Sequence, residues 1–210
     1  MSPRQPSTHA ISLIERFEIG DMSDYVPRPV WPGGASGLTI GIGYDLGYVS
    51  SIQIEQDWST LPTQLVARLQ SYSGITGNNA QHLATAASDI YVPFNAAKLV
   101  FENCDIPRVA VLTENTFQNT GALSADSFGA LVSLVFNRGT STTDTTPGNR
   151  LEMRQIRDAM QSSDFRLIPG LIRAMKRLWV GKGLDGLLAR RDAEADLFQA
   201  GLTFPPPGET

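Results

Sequence analysis

The amino-acid sequence predicts a mainly α-helical chain of the α+β type, a bundle of helices with one small β-hairpin lobe. Three stretches carry that expectation. In Ser36–Gly47, SGLTIGIGYDLG, four glycines punctuate a β-branched and aromatic run, which suits a short, tightly turned strand pair. After Ser124, the apolar residues Phe128, Leu131, Val132, Val135 and Phe136 recur at i, i+3, i+4, i+7 and i+8, the period of a core helix. Near the C-terminus, Leu184, Leu187, Leu188, Ala195 and Phe198 make a second helical stripe.

Along the chain, residues 1–8 read as a loose arm. A short helix follows over His9–Phe17, capped by Ser7 or Thr8, with Ile11, Leu13, Ile14 and Phe17 on one side. Glu18 lies one turn beyond Ile14 at the edge of that side, and Gly20 ends the helix. Partial desolvation at such an edge favours the neutral carboxylic acid that general acid catalysis requires. The other reading of Glu18 is an ordinary surface glutamate at a helix end. Residues 21–35 hold Pro27, Pro29, Pro32, Gly33 and Gly34 and read as a loop. Its Tyr25 and Trp31 either stack on a sugar face or pack over the hairpin. Within the hairpin, alternation sends Ile40 and Ile42 to one face and Thr39 and Gly41 to the other. A hydroxyl and the Asp45 carboxylate then line a cleft floor otherwise made of glycine, unless both merely serve turns.

Residues 50–120 predict helices near Pro62–Tyr72 and Gln81–Ser88. A third is capped at Asn95, with Leu99, Val100 and Cys104 facing inward, and a fourth covers Val109–Phe117 after Pro107. The helix from Ser124 ends at Asn137-Arg138-Gly139. Asn137 either fixes the cleft by hydrogen bonds or is a plain helix-end residue. The Ser/Thr-rich run 140–149 has too few apolar residues to pack and is expected at the cleft mouth. Helices follow at Arg150–Gln161, Pro169–Val180 and Leu184–Ala200. Arg191 falls on the apolar stripe of the last one, where a guanidinium requires an acidic or carbonyl partner. Residues 204–210 are a tail. The expected division is a small lobe over 9–60 and a helical lobe over 61–203.

Composition is that of an ordinary globular chain, 41% hydrophobic and 18% charged, and no apolar run is long enough to span a membrane. A net charge of −4 argues against nucleic acid as the main partner and against long-range steering to an anionic surface. The first seven residues lack the apolar core of a signal peptide, so export is expected by a route other than general secretion. Cys104 is alone, which excludes an intrachain disulfide. There is no H-E-x-x-H, no cysteine pair, no P-loop and no G-x-S-x-G. With only His9 and His82, neither a metal nor a cofactor is expected.

The text Arg16-Phe17-Glu18, then Tyr25, then GLTIGIG over 37–43 resembles the N-terminal lobe of phage-type lysozymes. The fuller SGLTIGIGYDLG is more similar to the pesticin-type branch, bacterial toxin domains homologous to phage lysozyme. In that branch the catalytic Asp follows the turn in a G-F/Y-D-L-G motif, which Asp45 matches. Phage enzymes place their Asp shortly after the tyrosine, where this chain has Pro27. ALVSLVFNRG over 130–139 and GLLARRDAEADLF over 186–198 resemble the family's core and last helices. The resemblance covers 10–47 and 124–199.

What the resemblance implies is a lysozyme-like muramidase, a glycoside hydrolase cleaving the β-1,4 bond between N-acetylmuramic acid and N-acetylglucosamine in peptidoglycan. Glu18 is then the general acid. Asp45 orients water or stabilises developing positive charge, Thr39 holds the water, and Tyr25, Tyr44 and Asn137 are candidates for binding substrate. The implied setting is interbacterial attack: a toxin made in the cytoplasm, acting in the periplasm or wall of a target bacterium, with a delivery partner such as a type VI secretion machine and a cognate immunity protein. The alternatives are a phage endolysin and a catalytically inactive lysozyme-like module that binds glycan or protein.

Overall fold

The computed structural model describes residues 4–20 and 22–203. Its helices, in chain order, are α1 (Thr8–Ile19), α2 (Ser51–Asp57), α3 (Thr63–Gln70), α4 (Gly77–Leu83), α5 (Phe94–Val100), α6 (Ile106–Thr116), α7 (Ala125–Arg138), α8 (Leu151–Ser162), α9 (Ile168–Ala174) and α10 (Asp185–Thr203). Between α1 and α2 lie two short strands, β1 (Thr39–Ile40) and β2 (Tyr44–Asp45), paired antiparallel with Thr39 opposite Asp45 and Ile40 opposite Tyr44. The predicted mainly helical fold with one β-hairpin is therefore present. Two compact units divide the chain, one of residues 18–105 and one of residues 4–17 with 106–203, where the sequence suggested 9–60 and 61–203.

In the unit 18–105, the hairpin obeys a strict parity. Leu38, Ile40, Ile42, Tyr44 and Leu46 are all buried, while Thr39, Gly41, Gly43 and Asp45 are not. This is the alternation of a strand with one face on a core. Gly41 begins the reversal with φ +60°, and a Cβ there would stand 2.9 Å from the ring of Trp58, so the turn is pressed onto the core where only glycine fits. Trp58 is fully buried and meets the Tyr44 ring edge-on at 5.4 Å. Val30 extends the hairpin by one bridge, exchanging backbone hydrogen bonds of 3.0 and 2.7 Å with Thr39.

Three elements here differ from expectation. Helix α2, capped by the Ser50 hydroxyl on Gln53 N–H, has no counterpart in the sequence reading. Helix α4 begins four residues before the predicted start at Gln81. Leu99 is exposed although Val100 is buried, because the inward face of α5 is set by Ala96, Ala97 and Val100 at i, i+1 and i+4, and a π-turn follows over Phe101–Asp105.

In the other unit, α7 is the central helix. Every residue from Ser127 to Val135 is buried, and Ser124 caps the helix through the N–H of Ser127. Close approach is built into its neighbours. A Cβ on Gly129 would stand 2.2 Å from the Ala10 Cβ, and one on Gly201 would stand 2.3 Å from the Ser127 hydroxyl. Of the expected arm, residues 1–3 lie outside the described residues. Arg4 donates to the carbonyls of Thr120 and Leu123, and the Ser7 hydroxyl accepts from Ala10 N–H. The expected tail, 204–210, also lies outside the described residues.

The polar centre of this unit is Glu194, fully buried on α10. One carboxylate oxygen accepts from the Ser133 hydroxyl at 2.7 Å, Arg190 at 3.1 Å and Arg191 at 3.0 Å. The acidic partner that the sequence required for Arg191 is thus its neighbour one turn on. Burial lowers the Arg191 guanidinium to about 10 and raises the Glu194 carboxyl. The run 140–149 is organised by Asp144, which accepts from the N–H groups of Arg150 and Gly148 and pairs with Arg154 at 3.0 Å. Among the described residues no helix is long and apolar enough to cross a membrane.

Candidate functional site

The candidate site is an open cleft of about 450 Å³ wholly within the unit 18–105. The unburied parity of the hairpin forms its floor: Thr39, Gly41, Gly43 and Asp45, with Ile40 contributing an edge. Glu18 and Ile19, from the last turn of α1, form one wall. Val26, Arg28, Val30 and Pro32 from the proline-rich loop line the cleft as well, together with Ser36 and Asp24. Glu18 is therefore brought together with Thr39 and Asp45, which lie about twenty residues or more further along the chain.

Each is placed by local rules. Glu18 is half-buried and precedes the helix stop at Gly20, whose φ is +68°. The Thr39 backbone is fixed on both sides, by Asp45 in the ladder and by the bridge to Val30. Its hydroxyl makes no hydrogen bond to the described residues and lines the cleft. Asp45 does more than line the floor. Its carboxylate accepts from Gly37 N–H at 3.0 and 3.1 Å and from Gly47 N–H at 2.9 Å, capping the 3₁₀ turn Leu46–Tyr48. A Cβ on Gly37 would fall 2.5 Å from that carboxylate and 2.4 Å from Gly47 N, so two glycines close a clasp around one acid. The turn-serving and cleft-lining readings of Asp45 both hold.

Of the expected substrate-binding residues, Tyr44 and Tyr25 do not line the cleft. Tyr44 is 3% exposed, and its hydroxyl donates to buried Asp57 at 2.8 Å, so its ring belongs to the core and offers no face to a ligand. That position has the buried parity of the hairpin, which decides against a binding role. Tyr25 is half-buried, donates to the Val92 carbonyl and meets the Phe94 ring edge-on. Burial and the nearby Tyr91 push its hydroxyl up to about 12. It does not line the cleft and anchors the loop instead. Trp31 donates its indole N–H to the Ser36 carbonyl, which closes the loop on itself. Asn137 belongs to the other unit, where its side-chain oxygen accepts from Arg191.

Two lining residues were not selected from the sequence. Asp24 is exposed, and it lines the cleft. A Cβ on Gly20 would meet its carboxylate at 2.7 Å, so it folds back over the end of α1. Arg28 stands between Pro27 and Pro29, a pattern that fixes its backbone and was readable as a rigid presentation of one cation. Asp21, the other acid near the helix end, lies outside the described residues.

Comparison with known families decides what kind of domain carries this cleft. The profile of the family Pesticin, described as "Bacterial toxin homologue of phage lysozyme, C-term", matches residues 10–149. The chain belongs to this family. The match spans the hairpin and its acid, and it runs through 48–123, which the motifs alone left unassigned. It stops before α8, α9 and α10, although the α10 text resembles the family's last helix. No curated protein matches the chain. Asp45, the acid that follows the glycine turn, lies on the cleft floor.

Proposed function

We propose that this chain is a muramidase that hydrolyses the β-1,4 bond between N-acetylmuramic acid and N-acetylglucosamine in peptidoglycan. The observation that carries the reading is the convergence of Glu18, Thr39 and Asp45 on one cleft in a member of a lysozyme-homologous toxin family. In this reading, Glu18 donates a proton to the departing glycosidic oxygen. Asp45 orients a water on the opposite face of the sugar and stabilises the positive charge developing at the anomeric carbon. The Thr39 hydroxyl holds that water. Room for a water between acid and base implies an inverting reaction, with the two carboxyls about 6.5–9.5 Å apart. Val26, Val30 and Pro32 supply apolar lining for sugar faces. The biological setting we infer is an antibacterial toxin acting on the wall of a target bacterium, with a delivery machine, of which type VI is our candidate, and a neutralising immunity protein.

The test is clearing of a peptidoglycan suspension by the purified chain and by Glu18→Gln. Loss of a general acid should lower the rate by roughly two to four decades. Released fragments should carry reducing N-acetylmuramic ends by mass spectrometry, whereas anhydro ends would identify a lytic transglycosylase. A wall left intact by the unsubstituted protein would refute the reading. Production confined to the cytoplasm should be tolerated and export to the periplasm should lyse the host. Equal toxicity in both compartments would place the target elsewhere.

A further inference from the structure

We propose that Arg28 is the specificity residue of this cleft and receives the carboxylate carried by the muramyl residue, so fixing which sugar ring sits over Glu18. The proposal rests on the muramidase reading and names the group by which that substrate is recognised. Among the described residues, three carboxylates line the cleft, Glu18, Asp24 and Asp45, and Arg28 is the one lining cation. A substrate that is itself anionic meets repulsion from such a lining unless a cation stands where its charge enters. Arg28 is exposed and makes no hydrogen bond, ion pair or ring contact with the described residues, so its fork of donors is open to a ligand. A guanidinium matches a carboxylate in a bidentate geometry that neutral glycan hydroxyls do not reproduce.

Its position is also fixed relative to the floor. Pro27 accepts from Val92 N–H at 2.7 Å, and Val30, two residues beyond Arg28, is bonded to Thr39 in both directions. The prolines on either side restrict the backbone between those anchors. The cation is therefore registered against the residue proposed to hold the attacking water. Every second sugar of peptidoglycan bears a lactyl ether, and the neighbouring ring does not. A contact to that substituent discriminates the two possible registers, and with them muramyl from glucosaminyl cleavage. The carboxylate has two sources, the lactyl group itself or the stem peptide joined to it.

Binding is measured by calorimetry with Glu18→Gln, which keeps ligands intact, and with the Arg28→Gln and Arg28→Lys changes added to it. The ligands are a glucosaminyl–muramyl tetrasaccharide with free carboxyls, its methyl ester, and the same glycan carrying stem peptide with free or esterified carboxyls. Arg28→Gln should weaken the free acid about tenfold, the scale of one charge-assisted contact, and leave the ester unchanged. Arg28→Lys should retain part of the affinity. Dependence on Arg28 with the peptide-free acid assigns the lactyl carboxylate. Dependence only with the free-carboxyl peptide assigns the peptide. Equal affinity of the Arg28→Gln protein and its parent for the acid, an acid preference that survives Arg28→Gln, or no binding of any ligand would overturn the proposal. Failure of the unsubstituted chain to cleave these glycans while the Arg28-dependent acid preference persists would refute the muramidase reading alone.

Discussion

Replacing Asp45 separates its two roles, because its carboxylate both closes the hairpin clasp and faces the cleft. In Asp45→Asn the remaining amide oxygen can still accept from Gly37 and Gly47, since one oxygen already lies 3.0 Å from the first and 2.9 Å from the second. The amide nitrogen then takes the place of the oxygen 3.1 Å from Gly37 N–H, where a donor faces a donor. The structural cost should be about 1 kcal/mol, a fall in Tm of roughly 2–4 °C for a chain of this size. In Asp45→Ala both N–H groups lose a charged acceptor, each worth about 1.5–3 kcal/mol, and Tm should drop by at least about 6 °C. Activity should behave differently. If Asp45 orients water, Asn loses roughly two to four decades of turnover despite its small thermal shift. Thermal unfolding by circular dichroism and release of reducing muramic ends give the two readouts. A folded, fully active Asp45→Asn protein would show that the carboxylate is only a clasp. Asp24 lines the same cleft, so Asp24→Asn is the necessary comparison and should leave turnover within about tenfold. A larger loss in Asp24→Asn than in Asp45→Asn would reverse the assignment.

Other consequences follow from neighbouring contacts. Gly37→Ala puts a methyl 2.4–2.5 Å from Gly47 and Asp45, so it should destabilise by about 1–3 kcal/mol and lower turnover with it; an unchanged Tm would mean that the clasp can open without cost. Glu194→Ala leaves Arg190 and Arg191, 2% and 0% exposed, without their shared carboxylate, and should cost roughly 3–5 kcal/mol, or about 6–20 °C in Tm, by calorimetric unfolding. Arg154 and two backbone N–H groups hold the Asp144 carboxyl at about 2, below its ordinary 3.8. Its stabilising contribution is therefore complete above about pH 4 and is lost as pH falls from there toward about 2. The protection factors of amides over 140–150, which remove the intrinsic pH dependence of exchange, should fall in that window in the native chain and be already low, and insensitive to it, in Asp144→Asn.

The hairpin was legible because a period of two is unambiguous when glycine marks the turns. Burial of Leu38, Ile40, Ile42, Tyr44 and Leu46 and cleft exposure of Thr39 and Asp45 follow from that parity alone. The same rule, applied to Tyr44, would have placed it in the core. Helix α7 was legible for the corresponding reason, since Ser124 and an unbroken apolar period define its start and its buried length. The π-turn at Phe101–Asp105 was not, because one extra residue in a turn leaves no compositional mark. Asp24 was missed, and Arg28 was passed over despite its flanking prolines, because their importance lies in how a loop is tied down. The ties run through backbone groups of Pro27, Val30 and Val92, which carry no side-chain signature.

That distinction bears on how the cleft is built. Its floor is rigid from local sequence, since the clasp at Gly37, Asp45 and Gly47 and the pressed turn at Gly41 leave little room to move. The proposed acid, Glu18, comes from a helix end that terminates at Gly20. Its loop wall is pinned by three backbone hydrogen bonds, one from Val92 and two exchanged with Thr39. Thr39 lies at the junction of all three, bonded to Val30 through one edge and opposite Asp45 on the other. Among the described residues that hydroxyl makes no hydrogen bond, so in the proposed reaction its donor and acceptor serve a bound water. Positioning of this kind requires no reorganisation when substrate arrives, the condition under which a fixed polar group contributes most to a transition state.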